Sequence, residues 1–184
     1  MNSLSVFNFI TLNGFYSGPG GDIGWQRHGG EESQFSEEGL KTGNILLFGR
    51  ITYDMMAAFW PTENARNMFP EVARGMNNAQ KIVFSRSMND PEWQNTRVIQ
   101  GNLVDETRRL KEGAGKNMTI LGSGSIVTQC AEAGLIDEYQ FMIDPVMLGQ
   151  GSTICSGISK RLDLALVGAR TFQSGVVLLT YVPL

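Results

Sequence analysis

Three short apolar runs, Asn44-Ile45-Leu46-Leu47-Phe48, Lys81-Ile82-Val83-Phe84 and Met118-Thr119-Ile120-Leu121, each stop abruptly at a polar corner. Runs of four or five residues with apolar groups on both faces suit strands buried on both sides, and the helix-spaced segments among them supply the covering layers. The pattern predicts an α/β chain on a mixed, mostly parallel central sheet flanked by helices. The corners read Phe48-Gly49-Arg50-Ile51-Thr52, Phe84-Ser85-Arg86-Ser87 and Leu121-Gly122-Ser123-Gly124-Ser125. Each places small, hydroxyl or guanidinium groups where a helix or turn begins, so backbone N–H groups and cationic forks converge on a phosphorylated ligand. Three such corners point to a dinucleotide carrying an extra phosphate.

The rest of the chain extends this frame. A β-rich run at 5–12 ends at Asn13-Gly14, a turn signal, and a glycine-rich irregular loop over 18–30 carries Asp22, Trp25, Arg27 and the only histidine, His28. Long loops in compact domains are more often functional than idle. Helices are expected over 31–42, 52–59, 103–112 and 126–133, with further strands at 97–99 and 138–143. The segment 63–78 reads only as a polar stretch. Two β-like runs, 162–167 and 175–181, have no helix between them and predict a C-terminal antiparallel hairpin. With 184 residues at 42% hydrophobic, one core and a single domain over 1–184 are expected.

Several function classes drop out. The net charge of −3, with both signs interspersed, gives no basic stripe for nucleic acid. No apolar run reaches the roughly 18 residues of a membrane span, and Met1-Asn2-Ser3-Leu4 lacks the basic start of a signal peptide, so a cytoplasmic protein is expected. Cys130 and Cys155 are far apart and read as free thiols. One histidine and no carboxylates at ligand spacing predict no metal centre. Neither a nucleophile elbow nor a P-loop is present. Gly122-Ser123-Gly124-Ser125 lacks the third glycine of a Rossmann fingerprint.

The order of the corners, with Thr11-Leu12-Asn13-Gly14-Phe15, Gly134-Leu135-Ile136-Asp137-Glu138 and Pro145-Val146-Met147-Leu148-Gly149-Gln150-Gly151, resembles the dihydrofolate reductase-like superfamily. The likeness is greatest to bacterial single-domain relatives of the C-terminal reductase domain of riboflavin biosynthesis. The resemblance implies an NADPH-dependent reductase of a small pterin- or pyrimidine-like heterocycle, similar to dihydrofolate reductase and 5-amino-6-(5-phosphoribosylamino)uracil reductase. It places Gly49, Arg50 and Thr52 on the pyrophosphate and Ser85, Arg86 and Ser87 on the ribose and its 2′-phosphate. Gly122, Ser123, Gly124 and Ser125 fall toward the nicotinamide side, and Gly14 and Leu121 complete the cofactor set. Phe15, Trp25, Trp60, Pro145, Gly149 and Gly151 would line the substrate pocket, and a homodimer is expected.

Two departures stand beside these matches. Leu121 occupies the place where riboflavin-pathway reductases carry a glutamate before the glycine pair. The first-helix carboxylate used by folate reductases has candidate counterparts here in Glu31 and Glu32, with Glu37 and Glu38 a turn later, among which the sequence does not choose, and acids at a helix start are also favoured by the helix dipole alone. A protein that binds NADP(H) or a pterin-like ligand without efficient turnover is the alternative.

Overall fold

The computed structural model describes residues 1–184. Its main sheet has eight strands: β1 (Leu4–Thr11), β3 (Ile45–Gly49), β4 (Lys81–Phe84), β5 (Thr96–Ile99), β6 (Met118–Leu121), β7 (Glu138–Asp144), β9 (Leu164–Thr171) and β10 (Val177–Pro183). They lie in the order β5-β4-β3-β6-β1-β7-β10-β9. The six strands from β5 to β7 are parallel, and β10 and β9 close the sheet antiparallel. The expected architecture and hairpin are therefore both present. A second, two-stranded antiparallel sheet joins β2 (Phe15–Ser17) to β8 (Ser152–Thr153).

Central placement explains the composition of β1. Its alternate residues Leu4 and Val6 are fully buried in one apolar layer with Leu47, Ile120 and Tyr139. Phe7 and Phe9 pack on the other side against Met142, Phe172, Val176 and Leu178. Each such side chain contributes about 1.5–3 kcal/mol on full burial. Six helices cover the sheet: α1 (Gly30–Lys41), α2 (Arg50–Phe59), α3 (Glu63–Met68), α4 (Pro70–Asn78), α5 (Leu103–Glu112) and α6 (Gly124–Glu132). No helix is long and apolar enough to cross a membrane.

The polar stretch 63–78 forms two helices. Thr62 Oγ1 caps α3 by accepting the Ala65 N–H (3.1 Å), and Pro70 opens α4. Only Val72, Ala73 and Met76 are buried from α4, a stripe too thin to stand out among polar neighbours. Lys81 closes this region. Its side chain is buried, Nζ donates to the carbonyls of Met76 (2.9 Å) and Ala79 (2.7 Å), and it lies 4.3 Å over the Trp93 ring. A cation at the C-terminus of α4 satisfies carbonyls that the helix leaves open. Burial still pulls its pKa down to about 8.

Candidate functional site

Parallel strands β1, β3, β4, β6 and β7 all finish along one edge of the sheet, at Thr11, Gly49, Phe84, Leu121 and Asp144. Ligands of open parallel sheets bind outside such ends, where the strand order reverses. Here β1 is that place, since the chain runs outward to β5 on one side before β7 joins it on the other.

The three corners converge at this edge. α2 and α6 begin two residues earlier than their apolar spacing suggests, so Gly49 and Ser123 become their N-cap residues. Arg50 Nη1 donates to Ser87 Oγ (3.1 Å) and its Nε to Asp54 Oδ2 (3.1 Å), which joins the first corner to the second. Ser85 Oγ accepts the N–H groups of Ser87 (3.3 Å) and Met88 (3.1 Å), a tight turn that leaves Arg86 exposed.

Ser123 ties the first corner to the third. It is buried, its Oγ accepts the Gly49 N–H (2.9 Å), and its own N–H donates to Thr52 Oγ1 (3.1 Å). These polar atoms of Ser123 and Thr52 hold the corners together. What the site offers an anion is the N-terminus of α2, the N–H groups of Gly124 and Ser125 at the start of α6, ahead of Ile126 whose N–H already donates to the Ser123 carbonyl (2.9 Å), and the cationic rim of Arg50 and Arg86. Ser125 is exposed on the first turn of α6.

The glycines differ in what they do. Gly122 has φ +60°, and a Cβ there would lie 2.9 Å from Thr52 Cγ2. A Cβ on Gly124 would lie 2.9 Å from the Tyr16 ring, so β2 packs directly on this corner. Gly49 has φ −79°, and its Cβ would rest 3.5 Å from Ile126 Cδ1, an ordinary contact. Leu121 is half-buried and packs against the apolar cluster of Phe48, Tyr53 and Val72.

The expected substrate residues divide into two groups. Asn13 binds the loop after β7: its Nδ2 donates to the Leu148 carbonyl (2.8 Å), and its Oδ1 accepts the Leu148 N–H (3.2 Å). Gly14 turns the chain with φ +87°, Phe15 pairs with Thr153, and Gly151 sits so close to Ser17 O that a Cβ would be 2.2 Å away. Segments 14–18 and 145–153 thus form one layer, with Pro145 and Gly149 exposed on it. Trp25 folds back on its own loop, Nε1 donating to Asp22 O (3.2 Å). Trp60 belongs to a separate chain of half-buried rings that runs to Phe69 (6.3 Å), His28 (6.1 Å) and Phe9 (4.6 Å). Phe15 and Trp25 stand outside it.

Beside His28 lies a buried polar cluster that only the fold assembles. Asp144 is fully buried, its Oδ1 accepts the Arg27 N–H (3.1 Å), and its Oδ2 has no partner. Burial pushes its pKa up to about 6, with the Arg27 N–H and guanidinium opposing and Glu32 reinforcing. Burial lowers that of His28, against the pull of Glu32. Glu32 is buried and accepts the Ser174 hydroxyl, while Glu31 Oε2 accepts the Gln173 N–H (2.8 Å). Both acids therefore fasten α1 to the turn between β9 and β10. Asp144 carries one visible signal in the sequence, a carboxylate ending an apolar strand just before Pro145.

The model of the RibD C-terminal domain matches residues 2–178. The chain belongs to that family. Relatives in Bacillus subtilis strain 168 include the uncharacterized protein YyaP, 30% identical over 172 residues, covering 94% of this chain and 90% of that one. A crystal structure of a proposed riboflavin biosynthesis protein from Shewanella sp. PV-4 superposes with a TM-score of 0.77 at 19% identity over 99% of both chains. The Thermotoga maritima diaminohydroxyphosphoribosylaminopyrimidine deaminase/5-amino-6-(5-phosphoribosylamino)uracil reductase gives 0.71 at 16% identity. This chain is matched in full there and covers 57% of that protein. The fold is thus that of the RibD C-terminal, dihydrofolate reductase-like domains.

A concavity of about 530 Å³ lies elsewhere in this RibD-type domain, between Pro61, Arg66, Arg74, Asn77 and Trp93. It borders the start of β5, at the opposite end of the parallel strands from the corners. Its arginines are already engaged, Arg66 with the Pro61 carbonyl (2.7 Å) and Arg74 with Glu71. An open, largely polar groove with committed cations is a poorer ligand site than converging helix N-termini.

Proposed function

We propose that this protein is an NADPH-dependent reductase acting on a C=N or C=O group of a small flat heterocycle, pterin- or pyrimidine-like. The observation that carries this reading is the convergence of Arg50, Ser87 and the N-termini of α2 and α6 at one sheet edge. The donor set fits NADPH: helix N-termini suit a pyrophosphate, and a guanidinium beside a serine hydroxyl and a second arginine suits the 2′-phosphate. Family membership supports the same assignment. Bound there, the cofactor supplies the hydride. The protein's part is to fix the corners through the Gly49–Ser123–Thr52 hydrogen bonds, orient the dinucleotide, and present substrate along the Phe9–His28–Phe69–Trp60 rings.

Calorimetric titration with NADPH and NADH tests this. Tighter NADPH binding is expected, and equal affinities sink the assignment. NADPH binding with no turnover across a panel of dihydropterins and aminopyrimidines would favour a binding protein instead, a reading that Leu121 supports by placing an apolar group where the pathway reductases carry an acid. We also propose a homodimer formed along β9, the eight-residue edge strand that exposes Leu166 and Val167. Sedimentation equilibrium with Val167→Lys checks it.

A further inference from the structure

We propose that Asp144, at the end of β7, is the acid that supplies the proton accompanying hydride transfer. This rests on the reductase reading above. Reduction of a C=N bond needs an acid near the reacting edge, and Leu121 leaves none beside the glycine pair. Asp54 is held by Arg50, and Asp22 Oδ1 accepts the Gly24 N–H within its own loop. Glu31 accepts the Gln173 N–H and Glu32 the Ser174 hydroxyl, both anchoring α1.

Asp144 is different. It is fully buried at the C-terminal edge, on the same face as Phe9 and Met142, yet Oδ2 has no hydrogen-bond partner. A buried polar atom left open inside a polar cluster is explained when a ligand completes it. The charged groups facing it are Arg27 from the loop before α1 and Glu32 from α1, which also acts on His28; Thr11, its β1 neighbour in register, is uncharged. Burial and the Glu32 charge favour the neutral acid against the Arg27 N–H and guanidinium, so the carboxyl holds its proton up to about pH 6, close to the range in which a general acid works.

The step balances. The substrate carbon gains the hydride with its electron pair, and a C–H bond forms. The C=N π pair moves to nitrogen, which takes the proton from Asp144 Oδ2 as the O–H bond breaks. The dinucleotide ends oxidised, the substrate reduced, and the carboxylate regains a proton from solvent.

The test has two arms. Infrared difference spectra between wild type and Asp144→Asn, recorded from pH 4 to 8, should show a neutral-carboxyl band that Asp144→Asn lacks and that fades as pH rises through about 6. Absence of that band at pH 5 overturns the proposal whatever the substrate. In turnover with a 7,8-dihydropterin, Asp144→Asn should lower kcat by about 10²–10⁴-fold, the usual worth of acid catalysis, and lose the fall in rate at high pH. Retained kcat with an unchanged pH profile overturns it as well. Should Asp144→Asn not fold, Glu32→Gln must shift the wild-type pH profile to lower pH, and a profile left in place overturns the proposal. Failure of wild type to bind NADPH would count against the reductase reading instead, and the infrared arm still decides for Asp144.

Discussion

The two ends of the site are built in opposite ways. The end proposed for the cofactor consists of corners, each a run of four or five consecutive residues at a strand terminus, cross-tied by Gly49, Thr52 and Ser123. The acid end gathers Arg27 with Glu32, Asp144 and Ser174 from three separate stretches of chain, and its carboxylates Glu32 and Asp144 are buried where the corners are open. Local geometry sets the first and topology sets the second. Substitutions should therefore act on binding or local strain at one end, and on pH response at the other.

The largest stability effect is expected at Gly122. Gly122→Ala forces a left-handed side chain against Thr52 Cγ2, combining about 1–2 kcal/mol of backbone strain with about 1–3 kcal/mol of overpacking. Urea unfolding should show a loss of about 2–4 kcal/mol, and a loss below about 1 kcal/mol would mean that the corner is softer than its contacts imply.

At the acid end the sign follows from a pKa raised in the folded state. Asp144 stabilises the fold fully below its unfolded value near 3.8, and that contribution is lost as pH rises through about 6. At about 1.4 kcal/mol per pH unit, wild type should lose up to about 3 kcal/mol relative to Asp144→Asn between pH 4 and 8. His28, whose pKa is lowered, works in the opposite sense, so the pair of proteins must be compared with each other. Parallel stability curves would erase the contrast between the two ends.

Smaller again is the cation term. Arg50→Ala should weaken NADPH by about 1.5–3 kcal/mol, the range for hydrogen bonds to charged groups, and NADH by less. Arg86→Ala should repeat this more weakly, since Arg86 is exposed. If calorimetry shows Arg86→Ala with the greater effect, the phosphate lies further out than the Arg50–Ser87 bridge. Gly49→Ala should be nearly silent, within about 1 kcal/mol in stability and binding, because its Cβ meets Ile126 at ordinary contact distance. A large binding loss would place phosphate on the Ile126 side.

The same contrast governs what could be read in the sequence. The corners and the parallel sheet were legible because glycine, serine and arginine follow apolar runs at fixed local spacing. Leu121 was legible as a departure, though not its burial against Phe48 and Tyr53. Nothing local announces that Asp144 meets Arg27 across 117 positions, or that Ser174 meets Glu32 across 142. The helices α3 and α4 were hidden for another reason: a cap and three buried side chains suffice once Trp93 and Lys81 close the layer behind them.

The central position of β1 also bears on how the molecule comes into being. Residues 4–11 leave the ribosome before the other strands of the sheet, yet their partners are residues 118–121 and 138–144, so this strand waits for more than a hundred later residues before it can pair. The block β3, β4 and β5 pairs among near neighbours and is free to organise meanwhile. Such long-range closure makes for slow assembly and prolonged exposure of Phe7 and Phe9. The acid end, which needs residues 27, 144 and 174 together, is the last part of the site to exist on the nascent chain.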